Sequence, residues 1–503
     1  EWKTNNAFST SNITYFPSAP LSTSPIFLIN PPASVSVGAS NPTNINGILK
    51  VDMPITWTGT GNKYFRDGIT GKATFTTIAG VGTLYLGYDG TNATSAVLGG
   101  EGLTVNTNGK PINIPAGATV TVPKDSMVTM LFTSGNFAKA DPAKFIVNGT
   151  ADLSTVSMSN SINPGNEVTI NGKLITAHLG GLEGGMVSTA PSTVNVNLGS
   201  TIEYNAAVGN QTITNTNVLE GSMPYDTLII SGGGTKTPGV ASYVESLVRI
   251  TGTPTVNASA NNFGKTGANT TLFQMDGGRL ILGSTGTQPN MNGLYTLTGG
   301  VVEFANNSVT AQTINNGGTH YYQNIEVSGS NVANSSGYTN LNDLGTFTIK
   351  NGGVFSINNY SINGPTGTQT FTMESGSLLN CGNEPGFNGP NAGSNYFSVN
   401  SNIENISLAA NSTINYNRSN PPLTGTGAQD VTTTMPYQHI IFSGTGNKTP
   451  AAASILEVKG NITKDGSAVF VHNDGTVLLS GTALQKYTAI TGPIIDMNNI
   501  TNN

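Results

Sequence analysis

The side chains able to do chemistry are few: 26 acidic and 20 basic residues, four histidines and one cysteine among 503. Two carboxylates about 5–10 Å apart would serve glycoside hydrolysis. Clustered carboxylates holding Ca²⁺, with a Lys or Arg base, would serve a polysaccharide lyase. Asp226, Glu245 and Arg249 are the first candidates. A later stretch of similar sequence has Gln438, Glu457 and Lys459–Asn461 in their places, so no ligand set is maintained and solvent-exposed decoration is the preferred reading. Asp276 and Glu374 do correspond, in "MDGG" and "MESG", where a carboxylate beside glycine reads as a turn cap. His439 stands where Thr227 and Asn324 stand in sister stretches, which marks a surface position; His178, His320 and His472 form no H-x-x-x-H pattern with it. The Asp-Gly pairs at Asp67, Asp89, Asp276, Asp465 and Asp474 read as turn dipeptides, with a structural Ca²⁺ at one of them as the alternative. No catalytic residue, metal ligand set or cofactor is assigned.

Aromatic residues offer a different chemistry, stacking on sugar rings. Tyr225, Tyr322 and Tyr437 occupy one recurring position; Tyr204, Phe304 and Tyr416 occupy another. A buried core or corner ladder is the first reading of such positions, and a glycan-binding stripe the second.

The elements that must position these residues announce themselves by repetition. "YDTLIISGGGTKTP" at 225–238 returns as "YQHIIFSGTGNKTP" at 437–450, with a shorter "YQNIEVSG" at 322–329. The tyrosines are 97 and 115 residues apart, while Met275 and Met373 of a second matched pair are 98 apart. Fixed strand sequences with variable spacing mean loops lengthened between repeated layers. Within this period lies a finer grain, as in "EVTINGKLITAHLGG" and "FTIKNGGVFSINN", where strand–Gly–strand units recur about every 20–25 residues. That grain predicts an all-β fold, an elongated parallel β-helix or solenoid. Tandem β-sandwich modules of about 100 residues are the alternative, although no linkers separate such modules here.

Composition agrees with stacking. Charged residues are 9% of the chain, against about 25% in an ordinary domain. Like charges piled about 4.8 Å apart repel, whereas Asn, Thr and Ser hydrogen-bond along the pile. The formal charge of -6 and the scarcity of Lys and Arg argue against nucleic acid as a partner. No apolar run approaches the 18–20 residues of a membrane span. Cys381 alone forms no disulfide framework. The organisation expected is a less regular N-terminal cap with early β coils over 1–190, then a repeat solenoid over 191–503 that continues in a longer polypeptide. The opening "EWKTNNAFSTSN" lacks the pattern of a signal peptide, which is expected to have been removed.

The unit formed by Glu203-Tyr204-Asn205, Gln211-Thr212-Ile213, Tyr225 to Gly232 and Thr235-Lys236-Thr237 resembles repeats of very large secreted surface proteins of Bacteroidetes bacteria. Gln312-Thr313-Ile314 with Tyr322 to Gly329, and Tyr437 to Gly444 with Lys448-Thr449, carry the same likeness, which covers residues 195–503. The resemblance implies export by the type IX secretion system, a cell-surface location and an adhesin-like role; the sorting domain of such proteins is not found in this chain. It also makes Ser126 in Asp125-Ser126-Met127 and Thr227 in Asp226-Thr227-Leu228 candidates for O-glycosylation. The expected function is a non-enzymatic adhesin or stalk segment whose partners are surface glycans or other cell-surface components. A polysaccharide-degrading β-helix and a structural filament or surface-layer component are the alternatives.

Overall fold

The computed structural model describes residues 2–4, 26–29, 35–37, 44–57, 61–77, 80–131, 137–139, 142–156, 166–182, 193–214, 225–239, 243–259, 261–264, 270–316, 320–334, 337–365, 369–387, 399, 403, 405–419, 426–490 and 500–502. The fold is all-β, a β-solenoid, and the chain divides into two compact units, Glu1–Pro254 and Thr255–Asn503.

In the first unit successive strands visit three sheets in rotation. Ile48–Val51 lies in one sheet, Ile55–Trp57 in a second and Gly61–Phe65 in a third. Gly68–Gly71 then returns to the first, pairing Ile48 with Gly68 in parallel, 20 residues on. The next coils advance by similar steps, pairing Ser95 with Thr119, Thr119 with Lys144 and Lys144 with Glu167. Glu167–Ile170 pairs in turn with Thr193–Val196, so the same sheet continues across residue 190, where the sequence changes regularity.

The second unit coils in the same way. One sheet carries Thr255–Ala258, Arg279–Leu282, Val301–Phe304, Tyr321–Val327, Thr339–Ile349, Thr370–Met373 and Asn405–Leu408 in that order. A nine-stranded sheet runs from Gly286–Gln288 to Tyr487–Ala489. The strand pairs of both units are parallel, as in Arg279 with Val301 and Thr413 with His439. That overturns the tandem β-sandwich alternative, because sandwich sheets pair antiparallel. Among the described residues no helix is long and apolar enough to cross a membrane.

Strand after strand alternates half-buried and buried residues, so one side chain in two points inward. Stacking turns these inward positions into ladders. Val120, Phe145, Val168 and Val194 are successive register partners and all at most 1% exposed. Leu280, Val302, Ile325, Phe347 and Phe371 form the equivalent column in the second unit.

The repeated phrase is explained partly by its corners. Gly232 and Gly444, in "SGGG" and "SGTG", have φ of +75° and +76°. A Cβ on Gly444 would lie 2.3 Å from the carbonyl oxygen of Arg418 and 2.7 Å from that of Asn417. Gly352 has a similar φ, +74°, but open space around it. Gly352→Ala is therefore expected to cost only the left-handed backbone penalty, about 1–2 kcal/mol. Gly444→Ala adds a clash against backbone and should cost clearly more. Equal losses in the two variants, read as thermal midpoints, would contradict the close approach.

Candidate functional site

The first and third copies of the repeated phrase build the same corner. Tyr204 and Tyr225 are wholly buried, with rings edge to face and hydroxyl oxygens 2.8 Å apart. Tyr225 Oη donates to the carbonyl of Thr214 (2.8 Å), and the Thr214 amide donates to Tyr204 Oη (3.1 Å). Each phenol has one proton, so Tyr204 must donate to Tyr225 and the three groups close a ring of hydrogen bonds. Tyr416, Tyr437 and Thr432 repeat it: Tyr437 Oη donates to Thr432 O at 2.7 Å and Thr432 N to Tyr416 Oη at 3.1 Å. A corner residue outside the strand ladder thereby has both its peptide groups satisfied by two side chains. In the middle copy Phe304 has no hydroxyl to offer. Tyr322 donates to Asn315 O at 2.6 Å, and the Asn315 side-chain amide reaches Tyr295 Oη at 3.2 Å. Burial holds the hydroxyls of Tyr204, Tyr295, Tyr322, Tyr416 and Tyr437 above the usual phenol range, so these are neutral donors.

A glutamine completes the corner. Gln211 Oε1 accepts the amide of Ala206 (3.1 Å), while its Nε2 donates to the carbonyls of Thr176 and His178. Gln312 ties Asn306 N to Leu282 O; Gln429 ties Arg418 N to Cys381 O and Asn383 O. Gln485 does the same for Gly481 N with Val458 O and Gly460 O. One side chain thus staples two neighbouring coils where the strands are broken.

The register partner of Gln211 is Lys236, and that of Gln429 is Lys448; both lysines are 0% exposed. Lys236 Nζ donates to Ala206 O (2.5 Å) and Gln211 Oε1 (2.9 Å). Lys448 Nζ donates to the carbonyls of Arg418, Gly427 and Thr445 at 3.0–3.1 Å. Burial lowers Lys236 to about 8; burial, together with the Arg418 charge, lowers Lys448 to about 7. At Gln312 the corresponding partner is Val332.

The glycan-binding stripe, the second reading of the recurring tyrosines, does not survive this geometry. Tyr225, Tyr322 and Tyr437 are each 0% exposed, and a ring sealed in the core cannot stack on a sugar arriving from solvent. They are the core ladder, each at the corner of its own copy. Phe304 and Tyr416 share that role.

The recurring glutamates are also scaffold. Glu203 accepts from Ser231 Oγ (2.5 Å) and pairs with Lys173 (2.7 Å). Glu303 takes Ser328 and Arg279, and Glu457 takes Ser480. The "S-G" that ends each phrase therefore places a hydroxyl on a carboxylate, or on Asn415, of the neighbouring coil.

Asp226, Glu245 and Arg249 lie on or beside outward positions of Tyr225–Ile230 and Val244–Ile250, with Asp226 Oδ1 accepting from Ser246 Oγ (2.8 Å). Asp276 is exposed in its turn. Glu374 pairs with Lys350 and accepts the Asn351 amide at 3.1 Å, capping a turn of a neighbouring coil; Lys350 holds its carboxyl below the usual range. His178, His439 and His472 each use Nδ1 to accept an amide, from Gly180, Asn461 and Asp474. His320 is buried and stacked on Tyr295, with ring centroids 4.0 Å apart.

At the Asp-Gly turns, Asp67 is paired with Arg66, and Asp89 Oδ1 accepts the amides of Thr91 and Asn92. Among the described residues no group of three His, Cys, Asp or Glu could hold a metal ion. Ser126 is half-buried in a turn after Asp125, whose φ is +61°; Thr227 is half-buried within a strand, between Thr201 and Leu247.

The glutamine staples and buried lysines escaped sequence reasoning, although "QTI" and "TKTP" recur visibly. Alternation within "TKTP" puts the lysine inward, which was the available signal. No protein family, curated protein or solved structure matches the chain.

Proposed function

We propose that this chain is a non-enzymatic segment of an extracellular cell-surface protein, an adhesin or stalk. It offers a neutral, amide- and hydroxyl-rich exterior for weak multivalent contact with glycans or surfaces. The observation that carries this reading is how the recurring polar residues are spent. Tyrosine pairs, glutamines, lysines and glutamates of the repeat are bonded to one another or to backbone, which makes them scaffold. Stretches of the outward columns carry short neutral groups, as in Thr346–Thr370–Asn405 and Thr348–Thr372–Ser407. The Bacteroidetes lineage and type IX export suggested by the repeats belong to the same proposal.

Beads displaying many copies of the chain should adhere to polysaccharide-coated surfaces, with single copies holding far more weakly. Incubation with polysaccharides should release neither reducing ends nor unsaturated uronates. Cleavage abolished by one carboxylate substitution would overturn the reading in favour of an enzyme.

A further inference from the structure

The outer wall of the first unit contains one arrangement unlike the rest. In the sheet that holds Asn44–Ile45, Gly61–Phe65, Val81–Leu86 and Ile112–Ile114, one outward column reads Asn44, Tyr64, Tyr85, Asn113. The Tyr64 and Tyr85 rings stack with centroids 4.9 Å apart and planes 24° apart. Tyr88 leans against both, at 5.7 and 6.2 Å, tilted by 52° and 42°. All three are only partly buried. Every wholly buried tyrosine of the repeat corners spends its hydroxyl internally, but these three hydroxyls make no hydrogen bond among the described residues. In the same column Asn113 Oδ1 is shielded from solvent and has no partner among the described residues, as has Nε of Arg66, two residues beyond Tyr64.

We infer that Tyr64, Tyr85 and Tyr88 form a binding platform for a neutral pyranose ring of a polysaccharide. This deepens the adhesive reading and rests on it. A pyranose has an apolar C–H face and a rim of hydroxyls. The aromatic corner supplies the first complement, and the phenol hydroxyls supply the second. Asn44, Asn62 and Thr83 at neighbouring outward positions are neutral amides and a hydroxyl, while the Arg66 charge is paired with Asp67 and the Asp89 carboxylate accepts the amides of Thr91 and Asn92, a setting that suits a sugar better than a lipid or an anionic polymer. Three rings are also far less than the roughly 1,000 Å² a stable protein interface requires.

The test uses the full 503-residue chain with insoluble cellulose, mannan and chitin as probes. Wild type should sediment with at least one, and Y64S/Y85S/Y88S should bind at least ten-fold more weakly with an unchanged circular dichroism spectrum. Should the triple variant fold poorly, nitration of wild type by tetranitromethane decides: the bound polysaccharide should protect Tyr64, Tyr85 and Tyr88. Retained binding by a folded triple variant, or no protection, overturns the platform and leaves the adhesive reading standing. Failure of wild type to bind any probe or polysaccharide-coated surface overturns both. Self-association of wild type that the triple substitution abolishes would assign the patch to a second copy and overturn the platform alone.

Discussion

Tyr437→Ala is expected to destabilise the second unit by about 3–5 kcal/mol, the range for removing a large buried aromatic side chain. The ring is 0% exposed and packs against Tyr416 with centroids 6.2 Å apart. Tyr437→Phe keeps the packing and isolates the hydroxyl. It removes the donor to Thr432 O and the acceptor of Tyr416, so two buried polar groups lose partners and the cost is about 1–3 kcal/mol. Since Tyr416, Tyr437 and Thr432 form one closed ring, Tyr416→Phe breaks the same circuit, and the double Phe variant should cost clearly less than the two singles together. A solenoid can open locally, so the informative readout is amide exchange through 426–442 beside the global unfolding curve. Additive losses, or an unchanged exchange rate at Thr432 in Tyr416→Phe, would show that the ring does not hold the corner.

The fold was legible because stacking repeats its requirements. Aliphatic alternation in "TLIIS" and "RLILG", the glycine corners and the return of whole phrases all follow from laying each coil on the last, and they distinguish a coil from a sandwich by the missing linkers. The division into two units after residue 254 was not legible, because the coils on both sides use the same alphabet. Side-chain roles were legible only in part. The position of Tyr225 said that a ring recurs, but the same letter serves a sealed hydrogen-bonded corner at Tyr225 and an open stack at Tyr64. Direction is what differs, and it depends on register: Tyr204 follows Ile202 on the inward phase, whereas Tyr64 falls between inward Lys63 and Phe65. Lysine invites a surface reading, and only the partners supplied by the preceding coil, Ala206 O and Gln211 Oε1, show why Lys236 is tolerated inside. The platform at Tyr64, Tyr85 and Tyr88 does not repeat at the period of the scaffold, so a search for recurring residues passes over it.

That buried lysine position sets a pH dependence whose sign is fixed. Lys448 binds its proton less readily in the fold, at about 7, than in the unfolded chain, near 10.5. Between these values the unfolded state holds more protons, so the stability contributed at this site rises with pH, by at most about 1.4 kcal/mol per unit. Below about 7 the full penalty of a buried charge is present; towards 10 it disappears. Lys448→Met removes the titration but leaves carbonyls without the amine, as at Val332 in the middle copy the slot is filled by an apolar side chain. Wild type should therefore gain on Lys448→Met steadily from about pH 7 to about pH 9.5, and lose ground to it on acidification, in denaturant midpoints measured in parallel. Lys236, lowered to about 8, should show the same slope over a narrower window. Three carbonyls at 3.0–3.1 Å work against this, since an ammonium has three protons to give and a neutral amine two. If the advantage of wild type grew as the pH fell, those carbonyls would outweigh desolvation, and Lys448 would be a buried cation that the corner is built to hold.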